Sequence, residues 1–311
     1  MRTPIVVPAF AAAAVASGAS AQLVFGTTSP TTSNPAAVYL DITSGTTTTL
    51  WNSAAQKKVN GMAADTVNGR LYSNDAARLN KWDYGSVGTA PTLIGGMYRT
   101  SDNVNFTATG VSGLAFANNK LYGTTSFGST VFKRGIYEIN TVPNSFGFCV
   151  MTAVWTDPTG IGTLSGTADF GGVDYNAADG KFWVTNSTDT TASGGTYQRA
   201  IYTVDAFGSG AMVKVADFPV GHNQIDGLAI GGGYAWLTEQ VGGGANVVNI
   251  FGFNLATLQY DKSFSFTLAD GSQRASGAAW APNAYLTIPA PATGLFLGLG
   301  LCGMARRRRA A

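Results

Sequence analysis

The stretch Gly113-Leu114-Ala115-Phe116-Ala117-Asn118-Asn119-Lys120-Leu121-Tyr122-Gly123-Thr124 reads as strand, tight turn, strand. A run of small apolar residues starts at a glycine. Two asparagines, which tolerate positive φ, make the turn. An aromatic run then ends in threonine. The pattern recurs along the chain. Gly61-Met62-Ala63-Ala64-Asp65 turns through Val67-Asn68-Gly69 into Arg70-Leu71-Tyr72-Ser73. Gly172-Val173-Asp174-Tyr175-Asn176 turns through Ala178-Asp179-Gly180 into Lys181-Phe182-Trp183-Val184-Thr185. Gly227-Leu228-Ala229-Ile230 turns through Gly231-Gly232-Gly233 into Tyr234-Ala235-Trp236-Leu237-Thr238, and Gly277-Ala278-Ala279-Trp280-Ala281 is a partial copy. The leading glycines stand 52, 59, 55 and 50 residues apart. A repeat of this period signals a modular architecture. The Asn-Gly and Asp-Gly turns suit type I′ geometry.

A third strand follows each hairpin, as in Ile136-Tyr137-Glu138-Ile139-Asn140, Ile201-Tyr202-Thr203-Val204-Asp205 and Ile250-Phe251-Gly252-Phe253-Asn254. A fourth is expected at Thr92-Leu93-Ile94, Ala153-Val154-Trp155, Met212-Val213-Lys214-Val215 and Ser263-Phe264-Ser265-Phe266. Four antiparallel strands in roughly 50 residues is the anatomy of a β-propeller blade. Small residues on the first strand suit the crowding at a propeller axis. The ends complement each other. Gln22-Leu23-Val24-Phe25-Gly26-Thr27, Val38-Tyr39-Leu40-Asp41-Ile42 and Thr47-Thr48-Thr49-Leu50-Trp51 resemble second, third and fourth strands without a first. The Gly277 copy is a first strand without the others. Joined, they form one composite closing blade and remove exposed sheet edges. The expectation is an all-β chain: one β-propeller of about five four-stranded blades, with six as the alternative count. A β-sandwich or β-solenoid is the alternative architecture.

Composition agrees with a β-rich, turn-rich exported protein. Charged residues make up 12%, apolar residues 45%, and 40 of 311 residues are glycine. Residues 1–21 have the form of a signal peptide: Arg2, an apolar run from Ile5 to Ala16, and Ala19-Ser20-Ala21 as a cleavage site between Ala21 and Gln22. Two cysteines, Cys149 and Cys302, do not make a disulfide framework, and Cys149 reads as a small buried hydrophobe. The propeller spans 22–286 and a tail spans 287–311. The tail runs Ile288-Pro289-Ala290-Pro291-Ala292-Thr293, then the apolar stretch Gly294 to Ala305, then Arg306, Arg307, Arg308 and Arg309. The apolar stretch suits a bilayer, as a hydrophobic helix at the short end of a span, and the arginines hold the C-terminus on the cytoplasmic side.

This tail resembles the PEP-CTERM sorting signal of exported bacterial proteins. Ala290 stands where that family has Glu. The resemblance implies processing by an exosortase-like protease, transient anchoring in the inner membrane, and delivery to the cell surface or extracellular matrix. A plain membrane anchor is the alternative.

Without the signal peptide and the tail, basic residues fall from 19 to 14 against 17 acids, a charge of about −3. No basic cluster remains in the body, which argues against nucleic acid as a partner. Ligands of propellers gather where the first strands begin. The residues preceding the repeat glycines are Asn60, Ser112, Gly171, Asp226 and Ser276, and the repeat register places them in a ring. His222, the single histidine, lies four residues before Asp226. An imidazole beside a carboxylate is half of an acid–base pair, but no G-x-S-x-G nucleophile elbow accompanies it. An exposed loop histidine is the simpler reading. Asn74-Asp75, Asp174, Asn186 and Asp189 are oxygen donors that a structural calcium ion would need brought together across blades. No motif specifies a metal site, and no other cofactor is expected. Of the six tryptophans, Trp82, Trp155, Trp183, Trp236 and Trp280 read mostly as packing between blades. The reading that follows is a non-enzymatic scaffold or binding propeller, with extracellular polysaccharide or a surface protein as partner. A secreted propeller enzyme acting on polysaccharide or a small ester, or a purely structural coat protein, are the alternatives.

Overall fold

Each repeat glycine lies at or near the start of a strand that contacts the next repeat. The structure, a computed structural model, describes residues 22–28, 36–52, 59–75, 77–99, 104–105, 111–125, 134–157, 170–187, 197–205, 210–239, 247–268 and 274–282. The expected signal peptide, its cleavage residue Ala21, the tail with its helix, and Asp189 all lie outside the described residues. The first strands are β1 (Gln22–Thr28), β2 (Ala36–Asp41) and β3 (Thr47–Asn52). Next come β4 (Gly61–Asp65), β5 (Arg70–Asn74), β6 (Arg78–Asp83), β7 (Thr92–Arg99) and the short β8 (Val104–Asn105). Then follow β9 (Val111–Ala117), β10 (Lys120–Thr125), β11 (Gly135–Ile139) and β12 (Phe148–Thr156). The next meander is β13 (Phe170–Asn176), β14 (Lys181–Asn186), β15 (Ala200–Asp205) and β16 (Val213–Asp217). The last is β17 (Ile225–Gly231), β18 (Tyr234–Glu239), β19 (Val247–Asn254) and β20 (Gln259–Thr267), followed by β21 (Arg274–Trp280). The described residues contain no helix.

The sheets are antiparallel meanders, as the repeat predicts. β13 to β16 and β17 to β20 each form a four-stranded sheet in chain order. β21 pairs with β1, placing Trp280 opposite Leu23, in the sheet β21-β1-β2-β3. The two ends of the described chain therefore share one sheet. The sequence does not show the join between the first two complete meanders. Their outer strands β7 and β12 pair in parallel, with Phe148 opposite Gly96, to give one nine-stranded sheet. Gly95 permits this approach: a Cβ there would stand 2.5 Å from the Gly147 carbonyl.

The turns differ in detail from a uniform type I′. Asn118 and Asn119 (φ 51° and 60°), and Gly232 and Gly233 (61° and 84°), are both left-handed, as two-residue type I′ loops require. At 66–69 and 177–180 only the closing Gly69 and Gly180 have positive φ. These are longer loops held by side chains: Asp65 Oδ1 accepts the Asn68 N–H at 3.0 Å and Asn176 Oδ1 accepts that of Ala178 at 3.1 Å.

Buried clusters fill the seams between successive meanders. Val24, Tyr39 and Trp51 cluster with Met62, Leu71 and Trp82. Tyr72 and Leu79 cluster with Leu121 and Tyr137. Tyr122 and Trp155 cluster with Phe182 and Tyr202. Trp183 and Ile201 cluster with Leu228 and Leu237, and Trp236 and Ile250 with Leu23, Phe25 and Ala278. The seams thus run in a closed cycle, which is a β-propeller. Trp82, Trp155, Trp183 and Trp236 are buried as expected, and Trp280 is half-buried, stacked on Trp236 at 6.3 Å. Cys149 is fully buried in the cluster of Tyr72, Leu79, Leu121 and Tyr137, and burial pushes its thiol up to about 11.

The inner strands interlock through the repeat glycines. A Cβ on Gly61 would meet the Ser112 carbonyl at 2.5 Å, and one on Gly113 the Gly171 carbonyl at 2.7 Å. A Cβ on Gly172 would meet Leu228 N at 2.5 Å, one on Gly227 the Ser276 carbonyl at 2.1 Å, and one on Gly277 the Cα of Gly61 at 2.6 Å. The ring closes on itself. A glycine is required here because each backbone touches the next.

Candidate functional site

The ends of the second strands provide a repeated clamp. Asn74, Thr124, Thr185 and Thr238 occupy matching register positions. Asn74 Oδ1 accepts the Gly61 N–H at 2.7 Å, while its Nδ2 donates to the Val111 carbonyl of the next inner strand. Thr124 Oγ1 accepts the Gly113 N–H at 3.0 Å and faces the Phe170 carbonyl at 3.5 Å. Thr185 Oγ1 accepts the Gly172 N–H at 2.7 Å, and Ser187 Oγ donates to the Ile225 carbonyl at 2.9 Å. Thr238 Oγ1 donates to the Ser276 carbonyl. In the terminal sheet the matching position is Gly26, which has no side chain. There Ser276 itself supplies the hydroxyl, donating to the Val59 carbonyl at 2.7 Å. Each such bond satisfies a buried backbone group that the ladders leave over. The Thr and Ser endings of the second strands were the sequence signal for these clamps.

The residues before the repeat glycines stand at the starts of adjacent inner strands, and several of them touch. Ser276 Oγ is 3.0 Å from the Asn60 carbonyl, and a Cβ on Gly171 would sit 2.8 Å from Asp226 Cα. Ser112 presents its carbonyl to Gly61. Their roles differ, however. Ser276 is buried and its hydroxyl is committed to Val59 and Asn60, so it closes the ring rather than facing a ligand. The strand register slips at several of these positions, and such a slip leaves Asp226 bulged between Ile225 and Gly227. Asp226 is half-buried, with Oδ1 3.3 Å from Ser187 Oγ. Burial raises its pKa, against a weaker lowering by the Ser187 hydrogen bond. The Ser187 hydroxyl is shared between the Ile225 carbonyl at 2.9 Å and this carboxylate oxygen, and donates to both.

His222 is not a freely exposed loop residue. It is half-buried, its ring 4.5 Å from that of Phe251, and Nδ1 lies 2.8 Å from Glu239 Oε2. Asn249 Nδ2 donates to the same oxygen at 2.6 Å. The carboxylate partner is thus Glu239 rather than Asp226. The pairing of Ile225 with Glu239 brings the end of β18 beside the loop that holds His222. Glu239 was not anticipated. It follows the clamp residue Thr238, at the position taken by Asp75, Thr125 and Asn186 in other repeats.

Among the described residues, the oxygen donors named for calcium are each engaged elsewhere. Asn74 is a clamp, Asp75 pairs with Arg78, and Asn186 donates to the Gln198 carbonyl at 2.6 Å. Asp174 accepts the Ile230 N–H at 2.6 Å and the Tyr175 N–H at 2.8 Å, tying β13 to β17. Among the described residues no group of three or more His, Cys, Asp or Glu is placed to hold a metal ion.

Asp174 has a consequence for stability. Burial pushes its carboxyl up to about 7, from 3.8, despite the two backbone hydrogen bonds. The folded state binds this proton more tightly than the unfolded state. Its contribution is therefore fully present below about 4 and is lost as pH rises through about 7. Asp226 acts in the same direction. Urea midpoints measured across this window are expected to fall with rising pH in the parent protein. The decline is expected to shrink in Asp174→Asn and further in Asp174→Asn/Asp226→Asn. An unchanged slope in the double variant would contradict this assignment.

No family model and no curated protein matches this chain. Solved structures similar to it are distant. A chain in a crystal structure of a nidogen/laminin complex is 12% identical with a TM-score of 0.49, covering 84% of this chain and 98% of its own. TolB from Acinetobacter baumannii is 12% identical with a TM-score of 0.48, covering 84% of this chain and 67% of its own. A structural-genomics protein of unknown function from Bacteroides thetaiotaomicron VPI-5482 is 12% identical with a TM-score of 0.47, covering 85% and 66%.

Proposed function

We propose that this chain is an exported, non-enzymatic binding or scaffolding protein of the cell surface or extracellular matrix. Its body is a five-bladed β-propeller. Four blades are continuous in sequence, and the fifth joins β21 to β1, β2 and β3. The observation that carries this reading is the closed ring of clamps. Polar side chains at the mouth, such as Ser276 and Thr238, hold neighbouring backbones together rather than converging on a reacting atom. A rigid ring of this kind suits display and recognition. Extracellular polysaccharide or another surface protein is the partner class. The tail, read as a PEP-CTERM-like signal, supplies sorting by an exosortase-like protease. No nucleic-acid role is proposed.

Intact mass and cell fractionation test this directly. The expected mature form starts at Gln22 and ends between Pro289 and Thr293, at the surface or in released matrix. A form that retains Arg306–Arg309 in the membrane fraction would overturn tail processing and leave a tethered propeller. A second reading, a secreted propeller enzyme, is favoured by the His222–Glu239–Asn249 arrangement, because a buried carboxylate that orients an imidazole can serve a general base. Hydrolysis of a polysaccharide or ester by the parent protein, abolished in His222→Ala, would replace the first reading with the second.

A further inference from the structure

The hairpin ends opposite the mouth frame a groove of about 510 Å³ between the first two complete meanders. The parallel pairing of β7 with β12 joins these meanders at their outer strands, and β12 contributes Val150 and Thr152 to the groove wall. Its size falls within the range of small-ligand sites. Tyr72 and Phe116 lie stacked in its wall, 5.8 Å apart and 17° from parallel, and Phe116 remains half-exposed. Around them stand Asp65, Asn68, Arg70, Asn119, Lys120 and Glu138.

We propose that this groove binds a neutral oligosaccharide. A sugar ring has apolar C–H faces and an edge crowded with hydroxyls. It needs an aromatic surface beside planar groups that donate and accept hydrogen bonds, and this groove supplies both. Charge argues against an anionic ligand. Lys120 is paired with Glu138 at 2.8 Å and Arg70 with Asp83 at 3.3 Å, while Asp65 adds a further carboxylate. Of the strands lining the groove, β5, β10, β11 and β12 are paired on both sides and offer a peptide no edge to extend, while the edge strands β4 and β9 pack against each other at the inner ring, where a Cβ on Gly61 would stand 2.5 Å from the Ser112 carbonyl.

This deepens the binding reading above by giving it a site away from the mouth. Export and tail processing stand or fall separately, by mass and fractionation. The test is retention of the labelled full chain on a glycan array carrying neutral and uronate-containing oligosaccharides. Neutral glycans are expected to retain the protein. Retention is expected to fall at least tenfold in Phe116→Ala and in Glu138→Gln, and to persist in Asp226→Asn. Glu138 lies in a surface ion pair, so its variant keeps the test decisive if Phe116→Ala fails to fold. Three results would overturn the proposal: no neutral glycan retained, retention of uronates alone, or retention that survives Glu138→Gln but is lost in Asp226→Asn.

Discussion

Asp157→Ala is expected to cost about 3–5 kcal/mol of stability, because it strands a buried cation. Asp157 follows β12 and Arg134 precedes β11, where the Asp157 N–H donates to the Arg134 carbonyl at 3.0 Å. Their side chains meet at 2.9 Å and are 0% and 6% exposed. Tyr197 donates to the other carboxylate oxygen at 3.0 Å, and the guanidinium lies 5.6 Å from the centre of the Phe170 ring. Tyr197 and Phe170 belong to the next meander, so the pair links two blades. Removing either charge leaves the other desolvated without its partner. Arg134→Met should therefore cost a similar amount. The double variant Arg134→Met/Asp157→Leu should lose less than either single one, since an apolar pair needs no compensation. In a body of this size each kcal/mol moves Tm by about 2–4 °C, so a single variant should melt roughly 10 °C lower. Thermal unfolding of all three variants reads this out. Single losses below about 1 kcal/mol would mean that the pair is effectively solvated.

Gly227→Ala should be comparably damaging, at about 3 kcal/mol, for a steric reason. The added Cβ would lie 2.0 Å from Thr238 Oγ1, 2.1 Å from the Ser276 carbonyl and 3.1 Å from Ala278 N. One methyl thus disrupts a clamp and pushes apart two inner strands. Gly277→Ala acts at the seam where the ring closes, against the Cα of Gly61 at 2.6 Å. It should increase proteolysis at the chain ends as well as lower Tm. Gly210→Ala is the control, because nothing lies within 4 Å of the Cβ it adds. Equal melting of Gly210→Ala and Gly227→Ala would remove the interlocking ring from the account of stability.

The candidate site was only partly legible. The repeat register alone puts Asn60, Ser112, Gly171, Asp226 and Ser276 at equivalent positions, and the structure brings Ser276 against Asn60 and Gly171 against Asp226. The direction of each side chain was not legible. Ser276 takes over the clamp because Gly26 leaves that position empty, a substitution visible only when the two termini are paired. Glu239, rather than Asp226, holds His222 because the loop before β17 packs over the end of β18.

The amino-acid sequence alone determined the repeat unit, the small and aromatic strands, the glycines at their starts and the shared terminal sheet. These rest on alternation, turn chemistry and residue size, which act over a few residues and recur with the period. Only the tertiary structure decided the zipper of β7 and β12, the groove beneath it, the Arg134–Asp157 pair and the partner of His222. The reason is separation along the chain. Asn74 reaches Val111 across 37 residues and Ser276 reaches Val59 across 217. Such partners are selected by how whole sheets pack around the axis, and no local pattern encodes them.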